Sequence, residues 1–149
     1  MKATGTVGAV LRYKGLEVWT ISPRATVFEA ISIMAQKNVG ALLVTEEDQL
    51  VGVISERDYT RNVVLKGRAS RETLVSEILS PDPIWVSPRH EVAECLRVMT
   101  ENRIRHLPVL EDGQIVGVVS IGDLVNWTIS AQDSTIEQLE NYITGTYPA

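Results

Sequence analysis

The chain has 149 residues, 44% of them hydrophobic and 22% charged, with a formal net charge of −5. That length can bury a core without disulfide or metal staples, and the composition is far from that of disordered chains. The acidic balance, with no clustered basic face, excludes nucleic acid as the main partner. The single Cys95 fits a reducing compartment, so a cytoplasmic location is expected. No stretch approaches the roughly eighteen apolar residues that would cross a bilayer, so no membrane association is expected. The run from Val7 to Leu11 is too short for the apolar core of a signal peptide.

In chain order, residues 1–17 form a lead-in in which Thr6 to Tyr13 reads as a short helix. Next comes the first copy of a repeat. The segment from Val18 to Thr60 lies on Pro83 to Val125 without a gap, with 15 identities in 43 positions. Identical pairs include Ser22/Ser87, Pro23/Pro88, Met34/Met99, Gly52/Gly117, Ser55/Ser120 and Asp58/Asp123. The repeats are assigned to residues 18–66 and 83–130, with a linker over 67–82 and a C-terminal helix and tail over 131–149.

Each copy reads strand, helix, strand, turn, strand, helix. The first strands are Val18 to Ile21 and Ile84 to Val86. In the first long helix Val27, Ala30, Ile31, Met34 and Ala35 recur at helical spacing, with Thr26 and Glu29 as a capping box. Val92, Cys95, Leu96 and Met99 hold the equivalent places, which makes Cys95 a core side chain. Ala41 to Thr45 and Leu50 to Ser55 form a hairpin, repeated as Leu107 to Leu110 and Ile115 to Ser120. A closing helix is expected over Thr135 to Ile143. The fold class is α/β (α+β): a unit spelled twice at fixed spacing is expected to stack about a pseudo-two-fold axis, because each copy alone leaves one apolar sheet face uncovered, with a ligand cleft between.

The sharpest local pattern is Gly52-Val-Ile-Ser55-Glu-Arg-Asp58, repeated as Gly117-Val-Val-Ser120-Ile-Gly-Asp123, where a strand turns into a helix. A helix N-terminus favours an anion, and a carboxylate can accept both hydrogen bonds of a ribose diol. Ser-x-x-Asp is equally a helix capping box that satisfies only local amides. Spacing alone leaves both readings open.

Through the tandem repeat, the two Gly-h-h-Ser-x-x-Asp motifs and the segment Arg105-His106-Leu107-Pro108-Val109, most of the chain, from Val18 to Val125, resembles the CBS-domain family. The resemblance implies a stand-alone pair of βαββα repeats, called a Bateman module, with their sheets packed together and helices outside, two adenosine pockets and a homodimeric assembly. Carried over, one pocket uses Trp19, Val39 and Gly40 with Val118, Ser120 and Asp123. The other uses Ile84, Ile104 and Arg105 with Val53, Ser55, Arg57 and Asp58. The cations Arg57, Arg61, Arg105 and His106 are assigned to the Asp58 side, and the positions matching Arg57, Arg105 and His106, namely Gly122, Gly40 and Ala41, are neutral, as is Val125 beside the position matching Arg61. A phosphate tail is therefore expected in the Asp58 pocket. Trp85 and Trp127 are expected in packing or in a dimer.

The expected function is that of a non-enzymatic sensor for an adenine nucleotide, AMP, ADP, ATP or NAD, acting through an unidentified downstream protein. The alternatives are an S-adenosyl ligand or a nucleotide-independent structural adaptor. No Ser/His/Asp, Cys/His or metal constellation points to catalysis.

Overall fold

A computed structural model describes residues 4–131 of the protein. The closing helix expected over Thr135 to Ile143 lies outside those residues. Thr6 starts the first helix by accepting the Ala9 amide on its side-chain oxygen at 3.2 Å. That helix, α1 (Val7–Lys14), buries Val7, Val10 and Leu11 and leaves Tyr13 exposed.

In the first repeat, β1 (Thr20–Ile21) is shorter than the sequence suggests and pairs in parallel with β2 (Ala41–Glu46). Between them runs α2 (Val27–Lys37), with Val27, Ala30 and Met34 buried. Ile31 is only half-buried and Ala35 is exposed, so the buried stripe is narrower than the spacing predicts. Thr26 accepts the Glu29 amide at 3.2 Å, which is one half of the expected capping box. The Thr26 backbone instead bridges to Leu74.

Strand β3 (Gln49–Ser55) returns antiparallel to β2. Their turn is made by Glu47 and Asp48, both at positive φ (52° and 63°), a backbone that follows the right-handed strand twist. β3 leads into α3 (Glu56–Tyr59) and a single π-type turn over Thr60–Val64. The linker supplies α4 (Val75–Ile78) and β4 (Ser80–Pro81), which adds to the β3 edge to give the order β1-β2-β3-β4.

The second repeat follows the same plan with α5 (Val92–Asn102), β5 (His106–Glu111), β6 (Gln114–Ser120) and a last helix, α6, over residues 121–131. Its expected first strand is reduced to a single parallel bridge between Val86 and Val109. The copies agree in detail. Asn38 and Arg103 end their helices in the left-handed conformation, and the bulges at Val44/Thr45 and Val109/Leu110 fall at matching places.

Two cores form. One gathers Ile21, Val27, Ala30, Met34, Leu42, Val44, Ile54 and Val63 together with Val75 and Ile78 from the linker. The other gathers Val86, Val92, Cys95, Met99, Leu107, Val109, Val119 and Leu124 together with Val7, Val10 and Leu11 from α1. Each repeat is thus closed by the segment that precedes the other one. The closing contacts correspond bond for bond. Val75 N–H donates to Ala25 O at 2.9 Å as Val7 N–H donates to His90 O at 2.9 Å. Ser76 N–H donates to Pro23 O as Gly8 N–H donates to Pro88 O, both at 2.9 Å.

Candidate functional site

Both Ser-x-x-Asp motifs cap the helices that follow their strands. Ser55 N–H donates to Asp58 Oδ2 at 2.9 Å, Ser55 Oγ donates to the same oxygen at 3.0 Å, and Asp58 N–H donates back to Ser55 Oγ at 3.2 Å. Ser120 N–H donates to Asp123 Oδ2 at 2.8 Å, and Asp123 N–H returns to Ser120 Oγ at 3.1 Å. The capping geometry is therefore present in both copies. It occupies one oxygen of each carboxylate, and a carboxylate offers about four acceptor positions. In both copies Oδ1 takes no hydrogen bond from any described residue.

The two motifs differ in what reaches them. Lys14, the last residue of α1, donates from Nζ to Asp123 Oδ2 at 2.7 Å and to Val118 O at 2.8 Å. The helix delivers this lysine because Val10 and Leu11 are seated in the second core. Asp58 has no ion-pair partner among the described residues.

Around Asp123 lies a cleft of about 340 Å³. Trp19, Val39, Gly40, Val118, Ser120 and Asp123, grouped from the sequence, all line it. The first repeat contributes Trp19, Val39 and Gly40, and the second contributes Val118, Ser120 and Asp123, so the cleft exists only where the copies meet. Lys37 stands over the Trp19 ring at 4.3 Å, a cation–π contact on the indole face.

The structure divides the cations between the two motifs differently from the expectation. His106 does not accompany Arg105. It lines the Asp123 cleft, where a Cβ on Gly40 would stand 3.4 Å from the imidazole Cε1 and Nε2. Successive side chains of a strand point to opposite faces, so neighbours at a strand entry separate. Burial pushes the His106 pKa below the ordinary imidazole value, helped by Lys14 and Arg105 and opposed by Asp123. The Asp123 cleft, expected to be neutral, is lined by the cations Lys14 and Lys37 as well.

The second expected pocket is gathered only in part. Arg57, Ile104 and Arg105 line a hollow of about 240 Å³ with Met99, Thr100, Arg103 and Ile121. Val53, Ser55, Asp58, Arg61 and Ile84 line neither space; Arg61 and Ile84 are exposed. Arg57 donates from Nη1 to Arg103 O at 2.9 Å, placing a cation at the C-terminus of α5, where the helix dipole favours one.

Of the residues missed, Lys37 and Arg103 lie in or beside helix ends already recognised. Lys14 carries no local signal, since only the seating of α1 brings it to Asp123. Trp127 stacks edge-on against Tyr13 with ring centroids 5.8 Å apart and donates from Nε1 to Thr4 O at 2.7 Å, while Trp85 is half exposed. Cys95 is fully buried in the second core, and that burial raises its thiol pKa to about 11. Among the described residues no group of His, Cys, Asp and Glu could hold a metal ion, and no helix is long and apolar enough to cross a membrane.

A family model described as the CBS domain matches residues 14–65 and 75–130. The chain is 38% identical over 152 residues to the CBS domain-containing protein CBSX3, mitochondrial, of Arabidopsis thaliana, covering 95% of this chain and 73% of that one. It is 36% identical over 108 residues to the CBS domain-containing protein YhcV of Bacillus subtilis, covering 72% and 76%. A solved structure of a protein with CBS domains from Burkholderia ambifaria, provisionally described as a signal-transduction protein, superposes with a TM-score of 0.84 at 44% identity, covering 86% and 96%.

Proposed function

The chain belongs to the CBS-domain family, and we propose that it is a regulatory module binding an adenine nucleotide, AMP, ADP, ATP or NAD, in the Asp123 cleft. The observation that carries the reading is the cleft itself. Both repeats build it, it combines an indole and aliphatic wall with a carboxylate and cations, and its 340 Å³ falls within the roughly 300–1,000 Å³ usual for small-molecule sites. In this reading Val39, Val118 and Trp19 bracket the base, and Asp123 Oδ1 accepts from the ribose. The second hollow is a separate place for a phosphate in this reading: Arg57 and Arg105, which line it, offer charge-assisted hydrogen bonds worth about 1.5–3 kcal/mol each.

In this reading the module is not an enzyme, and occupancy is passed on only through a difference of affinity between two shapes or two assembly states. A homodimer in the cytoplasm belongs to the same proposal. Closed two-fold assemblies are the commonest, and Ile121, Val125 and Ile129 are exposed at four-residue spacing on α6, ready for a second copy. Light scattering tests it, and a monomer mass counts against it.

One observation favours a rival: both motifs satisfy local amides as caps, which is all that a nucleotide-independent adaptor requires. Calorimetric titration of the nucleotide-stripped protein with AMP, ATP, NAD and S-adenosylmethionine separates the two. Binding of a phosphorylated compound that Asp123→Ala abolishes supports the sensor. No heat with any compound leaves the adaptor.

A further inference from the structure

The geometry points to Lys14 as the residue that selects phosphorylated nucleosides over bare nucleosides and over cationic S-adenosyl compounds in the Asp123 cleft. This rests on the proposal that adenosine occupies that cleft. Without ligand, Asp123 Oδ2 is shared between the Ser120 amide and the Lys14 ammonium, and both ion-pair partners are only a quarter exposed (26% and 24%). A ribose diol that donates to Oδ1 of this carboxylate draws on the same negative charge that holds Lys14 at Oδ2.

A neutral nucleoside thus weakens the ion pair and gives the half-buried ammonium nothing in return. A phosphate supplies a replacement anion on the wall where Lys14 already sits. With two N–H groups committed to Asp123 and Val118, the ammonium has a third to offer. A sulfonium ligand is opposed by Lys14 and by Lys37, which stands over Trp19.

The selectivity belongs to one cleft. The segment equivalent to α1 is α4, which ends at Ile78, so no matching lysine is carried on to Asp58. The internal match hides this, because Lys14 precedes the segment from Val18 that matches its second copy and lies 109 residues from the carboxylate it pairs with.

The test is calorimetry with adenosine, AMP, ATP and S-adenosylmethionine on the full chain and on Lys14→Met, Lys14→Arg and Asp123→Ala. Wild type should bind AMP about tenfold or more tighter than adenosine, the scale of one charge-assisted hydrogen bond, and S-adenosylmethionine most weakly. Lys14→Met should lose most of that ratio with adenosine affinity held or raised, and Lys14→Arg should keep it. If Lys14→Met weakens AMP and adenosine equally, or leaves their ratio unchanged while Asp123→Ala abolishes both, the selectivity assignment falls and the adenosine reading stands. If wild type binds none of the four and no NAD, both fall. Should Lys14→Met not fold, the wild-type AMP-to-adenosine ratio must drop as NaCl is raised, and a salt-independent ratio overturns the assignment.

Discussion

Leu11 of α1 lies directly on Gly117 of β6: a Cβ at that glycine would stand 2.7 Å from Leu11 Cδ2 and 2.9 Å from Cδ1. Gly52 meets Leu79 in the same way at 2.7 Å, and also the Ser80 carbonyl oxygen at 2.9 Å. A leucine tip can swing aside, whereas a backbone carbonyl within a strand pair cannot. Overpacking costs about 1–3 kcal/mol. Gly117→Ala should fall at the low end and Gly52→Ala at the high end when unfolding is followed in urea, and the reverse order would contradict this account.

Because Leu11 closes the second core and not the first, its removal should be felt in the distant half of the sequence. Leu11→Ala is expected to cost about 2–5 kcal/mol. Amide exchange should accelerate at Val92, Leu107 and Val119 while Leu42 and Ile54 keep their protection. Ile78→Ala should give the opposite pattern. Equal acceleration in both halves for either variant would mean that the segments do not divide the cores in this way.

That exchange of segments marks the limit of what the sequence makes legible. The match of Val18–Thr60 to Pro83–Val125 stands out because many of its identities sit where local geometry restricts the residue: the close-approach glycines, the capping serines and aspartates, the buried methionines. The second correspondence, of the α1 segment with the α4 segment, has only Val7/Val75 and Leu11/Leu79 identical from Gly5/Thr73 to Leu11/Leu79. Any apolar side chain of suitable size serves there. The wall from Trp19 to Gly40 and the Ser120/Asp123 end of the cleft follow from motif and resemblance. Lys14 is set by tertiary docking, and the separation of His106 from Arg105 by strand alternation at an uncertain boundary, so neither leaves a local trace.

The caps make a quantitative demand on the ligand-free protein. Losing a capping side chain costs about 0.5–2 kcal/mol, so Ser55→Ala and Ser120→Ala should each lower the unfolding free energy by that amount. Asp123→Ala should cost more than Asp58→Ala, because only Asp123 also holds Lys14. A partly exposed ion pair adds about 0–1 kcal/mol. The gap should narrow as salt is raised. Equal costs at low salt would show that the Lys14 contact contributes nothing to stability.

His106 gives the protein an acid-sensitive component. Desolvation lowers its pKa in the folded state, with Asp123 acting in the opposite sense, so the unfolded chain takes up this proton first as the pH falls. The contribution is complete above the ordinary value of 6.5 and is lost as the pH drops from there through the lower folded-state pKa. Urea unfolding across about pH 7.5 to 5 should therefore show stability declining with acid, with part of that slope missing in His106→Gln. The variant keeps a polar side chain against Gly40 but cannot titrate. An unchanged slope would assign the acid sensitivity to other groups.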